Sequence, residues 1–231
     1  MTFDLTRARR FSARLRKWFK RHGRDLPWRY TRDPYRILVS ETMLQQTQAA
    51  RVVGFYETFL ERFPDVHALA AARPLMVREA WEGLGYYARA RNLHALARSV
   101  AAGGGELPAE PNELLALPGV GPYTAHAVAT FAYENRSAPV DTNVARVIAR
   151  AFAPHLEPKR ARDLTQLRKL AHEILPRTGK AAWAHNQGLM ELGALVCTAR
   201  VAKCGECPVR ADCLTGQGSK AKGQSNPLRP L

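Results

Sequence analysis

Cys197, Cys204, Cys207 and Cys213 are the four cysteines of this 231-residue chain, spaced C-x6-C-x2-C-x5-C. A disulfide framework spreads its links along a chain, whereas thiols gathered in one short segment suit a shared metal or cluster. Zinc sites usually pair two short C-x2-C arms, and this ladder has one short arm and two longer, unequal ones. The spacing favours an iron–sulfur cluster; zinc and structural free thiols remain the alternatives.

Two carboxylates stand out for the company they keep. Glu41 falls on the same helical face as Ile37, Leu38, Leu44 and Val52. An inward carboxylate loses hydration, which raises its pKa toward the range of a general acid. A buried ion pair with one of the arginines is the competing reading. Asp141 lies in Pro139-Val140-Asp141-Thr142-Asn143-Val144, directly before a helix marked by Val144, Val147, Ile148 and Ala151. The favoured reading makes Asp141 or Thr142 the N-cap, worth about 1 kcal/mol; a functional carboxylate at Asp141 is the alternative. Between these acids lies Leu117-Pro118-Gly119-Val120-Gly121-Pro122-Tyr123-Thr124, a glycine hairpin joining two helices. Gly119 and Gly121 permit close backbone approach, and the amides from Gly119 through Tyr123 would offer a helix N-terminus to a phosphate. A simple chain reversal is the plain alternative.

The elements that must position these residues are helical. Phe11, Leu15, Trp18 and Phe19 recur at helical spacing with basic residues between them, giving a first helix with one docked and one cationic face. A second helix is expected from about 35 to 63. Further ones are expected near 74–82, 88–101, 111–116, 122–133, 144–152, 160–175 and 181–196. Without a period-2 strand run, the fold class is all-α with about ten helices. The segment 214–231, rich in Gly, Ser, Lys and Pro, reads as disordered.

Composition narrows the partner. Lys and Arg number 35 against 20 Asp and Glu, a net charge of +15, with 12 of the basic and 3 of the acidic residues in positions 1–36. Such a surplus on a globular composition points to a polyanion, nucleic acid first. No apolar stretch is long enough to span a bilayer, and no apolar region follows the basic N-terminus as a secretory signal would require. No membrane association is expected.

Together these segments resemble the helix–hairpin–helix DNA glycosylases with an iron–sulfur cluster, and within them the adenine DNA glycosylases. The resemblance runs through Leu26-Pro27-Trp28-Arg29, Ser40-Glu41-Thr42-Met43-Leu44-Gln45-Gln46-Thr47-Gln48, Gly83-Leu84-Gly85-Tyr86-Tyr87-Ala88-Arg89-Ala90-Arg91-Asn92-Leu93, the hairpin, the Asp141 segment and the cysteine ladder. It implies a two-lobed fold: a six-helix domain at 31–133, and a cluster domain of 1–30 with 134–213. It implies a monomer acting on double-stranded DNA with a mismatched or damaged base pair, the base being flipped into a groove between the lobes. A cytoplasmic, nucleoid-associated setting in a bacterium follows. Glu41 would protonate adenine and Asp141 would stabilise the sugar cation, with Tyr123 and Asn143 in support. Arg29 and Gln187 would line the adenine pocket, Gln46 and Tyr87 would wedge into the base stack, and the four cysteines would hold a [4Fe–4S] cluster.

The resemblance also implies what this chain does not do. Endonuclease III-type enzymes carry at position 123 a lysine for Schiff-base chemistry and strand cleavage, and this chain has Tyr123, so monofunctional hydrolysis is expected. The near alternative is a thymine or uracil mismatch glycosylase, which shares that tyrosine; the remote one is a non-catalytic DNA-binding protein. Adenine-group members usually carry a further C-terminal domain that recognises 8-oxoguanine, and this sequence stops 18 residues after Cys213, which leaves the preference between 8-oxoguanine and guanine open.

Overall fold

The structure is a computed structural model that describes residues 4–218. Among the described residues it holds twelve α-helices and no named strand; Cys197 and Ala202 form an isolated β-bridge. The chain folds as two compact units, Asp25–Asn135 and the flanking segments Met1–Arg24 with Arg136–Leu231.

The unit at 25–135 is built around α2 (Pro34–Leu44) and α8 (Pro122–Tyr133), which pack on each other. Eight of the eleven residues of α2 are buried, as are eight of the twelve of α8. A helix that is apolar on nearly every side belongs at the centre of a core. Both begin with proline in the first turn, where a missing N–H costs nothing, and the Asp33 carboxylate caps α2 by accepting from the Arg36 amide at 3.0 Å. Around this pair run α3 (Ala49–Arg62), α4 (Val66–Ala71), α5 (Pro74–Ala80), α6 (Ala88–Ala102) and α7 (Pro111–Leu115). Trp81, wholly buried, meets Phe59 edge-on at 5.7 Å between ring centroids.

The helix expected over 35–63 is two helices. Gln46 adopts a left-handed φ of +57°, which ends α2, and α3 restarts at Ala49. The carbonyls at the end of α2 are satisfied by the guanidinium of Arg89, on α6. That contact comes from far along the chain and leaves no local sequence signal. The unanticipated α4 is six residues long, too short to show a period; the Asp65 carboxylate caps it by accepting from the Ala68 amide at 2.8 Å.

The other unit centres on α9 (Thr142–Phe152), whose residues from Val144 to Phe152 are all buried. It packs with α10 (Ala161–Glu173), α11 (Gly179–Leu195) and α12 (Leu214–Gly218), and α1 (Leu5–His22) lies along α11. Phe11 of α1 meets Phe152 edge-on at 4.9 Å between centroids. Just past α1, Arg24 clamps the fully buried Glu191 of α11 with its amide at 2.8 Å and its guanidinium at 2.9 and 3.0 Å. Of the segment read as disordered, 214–218 forms α12, and the rest lies outside the described residues.

Candidate functional site

Glu41 sits in the last turns of α2, only 4 % exposed. The facing α8 brings Tyr123 to it, and the phenol O–H donates to the Glu41 Oε2 at 2.8 Å. The inward orientation expected from the apolar spacing is therefore present, with a neutral hydroxyl beside the carboxylate. That hydrogen bond fixes the orientation of the Glu41 carboxyl group.

The hairpin between α7 and α8 shows why its first glycine is needed. Gly119 has φ +74°, and a Cβ there would stand 2.6 Å from the Cβ of Asn92. Gly121 has an ordinary backbone angle as N-cap of α8, with open space where a Cβ would go. Fewer amides face outward than expected. The Val120 amide is used within the turn, donating to the Leu117 carbonyl at 3.2 Å, and Pro122 has none. Of the edge expected to face a phosphate, that leaves Gly119, Gly121 and the first turn of α8.

In the other unit Asp141 is the N-cap of α9, with its second oxygen held by a neighbouring side chain. Its Oδ1 accepts from the Val144 amide at 2.7 Å, capping α9, while its Oδ2 accepts from the Asn143 side-chain amide at 3.1 Å. Asn143 is held in turn: its Oδ1 accepts from Arg146 Nη2 at 2.8 Å. Arg146 also donates to the Gly193 carbonyl and, through Nε, to the Cys197 carbonyl, each at 2.9 Å. A line of hydrogen bonds thus leads from Asp141 to the first cysteine of the ladder.

The four cysteines line one cavity with Arg150, Lys203 and Arg210. Among the described residues no three of their sulfurs, nor any three His, Cys, Asp or Glu groups, converge as a site for one metal ion. A single zinc draws every thiolate to about 2.3 Å of one point. A cluster takes one cysteine thiolate per iron, and the four thiols that line this cavity are the donor set either group would need. The donors around them also suit thiolates: Arg150 Nη1 lies 3.4 Å from Cys197 Sγ and the Gly216 amide 3.3 Å from Cys213 Sγ. As free thiols Cys207 and Cys213 are held protonated, burial pushing Cys207 up to about 11 and raising Cys213 as well. Asp212, beside the last cysteine and almost wholly buried, pairs with Arg10 at 2.9 Å and Arg14 at 3.3 Å, so the cationic first helix is tied to this loop.

The remaining expected residues take up separate places. Arg29 closes a short 3-10 turn, Pro27–Arg29, and is half-buried; Gln187 is buried on α11. Gln46 is exposed on the α2–α3 loop and Tyr87 exposed at the N-terminus of α6, with the Arg78 guanidinium 5.5 Å from its ring centroid.

A family model described as "HhH-GPD superfamily base excision DNA repair protein" matches residues 39–174, a span that contains Glu41, the hairpin, Asp141 and Asn143. The chain belongs to the HhH-GPD superfamily. Among relatives, the adenine DNA glycosylase of Mycobacterium tuberculosis (strain CDC 1551 / Oshkosh) is 45 % identical over 200 residues, which are 84 % of this chain and 64 % of that protein. The thymine-DNA glycosylase of Aeropyrum pernix is 37 % identical over 214 residues, 91 % of this chain and 96 % of that one. A solved structure of a thermostable thymine-DNA glycosylase superposes with a TM-score of 0.83 at 31 % identity, covering 92 % and 98 % of the two chains. The chain therefore spans just under two thirds of the length of the adenine DNA glycosylase it matches. No helix among the described residues is long and apolar enough to cross a membrane.

Three residues of this HhH-GPD protein went unread in the sequence: Arg89, Arg146 and Arg150, all buried. The net charge treats every arginine as a surface cation. These three instead spend their guanidinium groups on backbone carbonyls. The only sequence cue was that Arg146 and Arg150 lie one helical turn apart on a helix whose other residues are mostly apolar.

Proposed function

We propose that the chain is a DNA glycosylase that extrudes adenine opposite guanine or 8-oxoguanine and hydrolyses its N-glycosidic bond without cutting the strand. The observation that carries this reading is the buried Glu41 held by the Tyr123 hydroxyl, an acid with a phenol where a Schiff-base enzyme would need an amine. Glu41 gives its proton to N7 of the adenine, so the bond from C1′ to N9 breaks with a neutral base leaving. The Asp141 carboxylate stabilises the cationic sugar or bonds to C1′. Water then adds at C1′, giving up a proton that restores Glu41 and releasing Asp141, and leaves an abasic sugar. This division between an acid and a stabilising carboxylate is the one used in glycoside hydrolysis. Tyr123 and Asn143 orient the two acids, Arg29 and Gln187 bind the base, the backbone at Gly119 and Gly121 holds a phosphate, and Gln46 and Tyr87 fill the stack the base vacates.

The absence of an amine at position 123 has a direct test. Borohydride added during turnover should trap no covalent protein–DNA adduct, and the product strand should break only after alkali. A trapped adduct, or a nick without alkali, would overturn the hydrolytic course.

Cys197, Cys204, Cys207 and Cys213 would hold a [4Fe–4S] cluster, which when bound supplies a rigid anchor for their loop. Purified protein should be brown, with a broad visible band and iron matching one cluster. Colourless protein carrying zinc would replace the cluster by a metal knot. A second substrate reading, thymine or uracil paired with guanine, is favoured by the end-to-end match to the Aeropyrum pernix thymine-DNA glycosylase. The identity of the released base decides between them.

A further inference from the structure

Arg89 is 8 % exposed and, among the described residues, forms no ion pair. A buried cation without a carboxylate is costly unless its donors are met; here the two terminal nitrogens are met from two loops at once, while Nε is buried without a hydrogen-bond partner. Nη1 donates to the carbonyls of Thr42 at 3.2 Å, Met43 at 2.7 Å and Gln45, and to Thr47 Oγ1 at 3.3 Å. Nη2 donates to the carbonyls of Leu84 at 3.2 Å and Gly85 at 3.1 Å. The negative end of the α2 dipole and the rings of Trp81 and Tyr86, each 5.5 Å from Arg89 Cζ, add to its hold.

What these carbonyls control is specific. The Gln45 oxygen belongs to the peptide that sets φ of Gln46, and the Gly85 oxygen to the peptide that sets φ of Tyr86. Gln46 and Tyr86, at +57° and +49°, are two of the three non-glycine residues with positive φ among those described. Such angles persist only where the surroundings over-determine them. One planar guanidinium therefore fixes the backbone of both strained sites, one amino group to each loop. The exposed Gln46 and the exposed Tyr87 stand on the two loops so joined.

We propose that Arg89 is a positioning residue that makes Gln46 and Tyr87 a single rigid wedge, so that the two side chains enter the base stack together. The proposal rests on the glycosylase reading above. It separates the guanidinium from its charge: lysine keeps the cation but lacks the fork that reaches both loops.

The test is a double-mutant cycle on the full chain, with a duplex carrying 2-aminopurine opposite 8-oxoguanine as the probe. Its fluorescence rise reports extrusion of the base. In the wild type, Gln46→Ala and Tyr87→Ala should be non-additive, the second substitution costing about tenfold less extrusion once the first is made. In Arg89→Lys the extrusion constant should fall about tenfold and the two effects should become additive. Thr47→Val, which removes one contact of the same guanidinium, should shift both readouts in the same direction and decides the matter if Arg89→Lys does not fold. Coupling that persists unchanged in Arg89→Lys, or in Thr47→Val where that variant decides, overturns the wedge even if melting temperature and extrusion fall. If the wild type itself extrudes no base, the glycosylase reading fails and the wedge with it.

Discussion

Glu41→Gln is expected to lower single-turnover base release by about 10³-fold while leaving affinity for the same duplex unchanged. Glutamine has the shape of glutamate and its amide oxygen can still accept the Tyr123 hydroxyl, so the bond seen at 2.8 Å survives. What it lacks is a transferable proton. The loss should therefore fall on the chemical step and not on binding, because Glu41 is nearly solvent-free and the substitution keeps its shape. Tyr123→Phe should cost far less, since it removes the orientation and leaves the acid. Filter binding and quenched-flow release on one duplex measure both quantities. Undiminished release by Glu41→Gln removes this residue from the acid role.

Asp141→Asn separates the cap that Asp141 forms from the catalytic role proposed for it. Asparagine is as good an N-cap as aspartate, and its side-chain oxygen can accept from the Val144 amide as Asp141 does at 2.7 Å. The cap survives, and thermal stability should fall only by about 1 kcal/mol, because the new amide nitrogen cannot accept from Asn143 as Oδ2 does. The negative charge is gone, and base release should fall by about 10²- to 10³-fold, the size of losing one electrostatic stabiliser of a transition state. Asp141→Ala loses both, adding about 1 kcal/mol of instability to the same catalytic defect. If Asp141→Asn turns over normally, Asp141 is a cap and nothing more, and the sugar cation must be stabilised elsewhere.

The parts of the protein legible in sequence were those whose signal is local. Glu41 betrayed its inward face through Ile37 and Leu38 one turn away, the hairpin through its glycines and proline, and the cysteines through their crowding. Asp141 was legible as a cap because the apolar period of α9 begins three residues later. The break between α2 and α3 was not legible, because Gln45-Gln46-Thr47-Gln48 carries no glycine or proline. The turn is imposed by Arg89, more than forty residues distant in sequence. The same holds for Arg146 and Arg150, whose partners Gly193, Cys197 and Thr198 lie in other elements. A carbonyl is present at every residue, so no sequence pattern marks which ones a buried guanidinium will meet. The charge excess of +15 pointed toward a polyanion, yet part of it is internal mortar for the residues proposed to do the chemistry.

The central claim is that this chain releases adenine by hydrolysis. It is tested most directly by single-turnover reactions on four duplexes that differ only in the target pair: adenine opposite 8-oxoguanine, adenine opposite guanine, thymine opposite guanine and uracil opposite guanine, with the released base identified. The account predicts free adenine from the first two and no base from the others. Release of thymine or uracil alone, with adenine left in place, would contradict it.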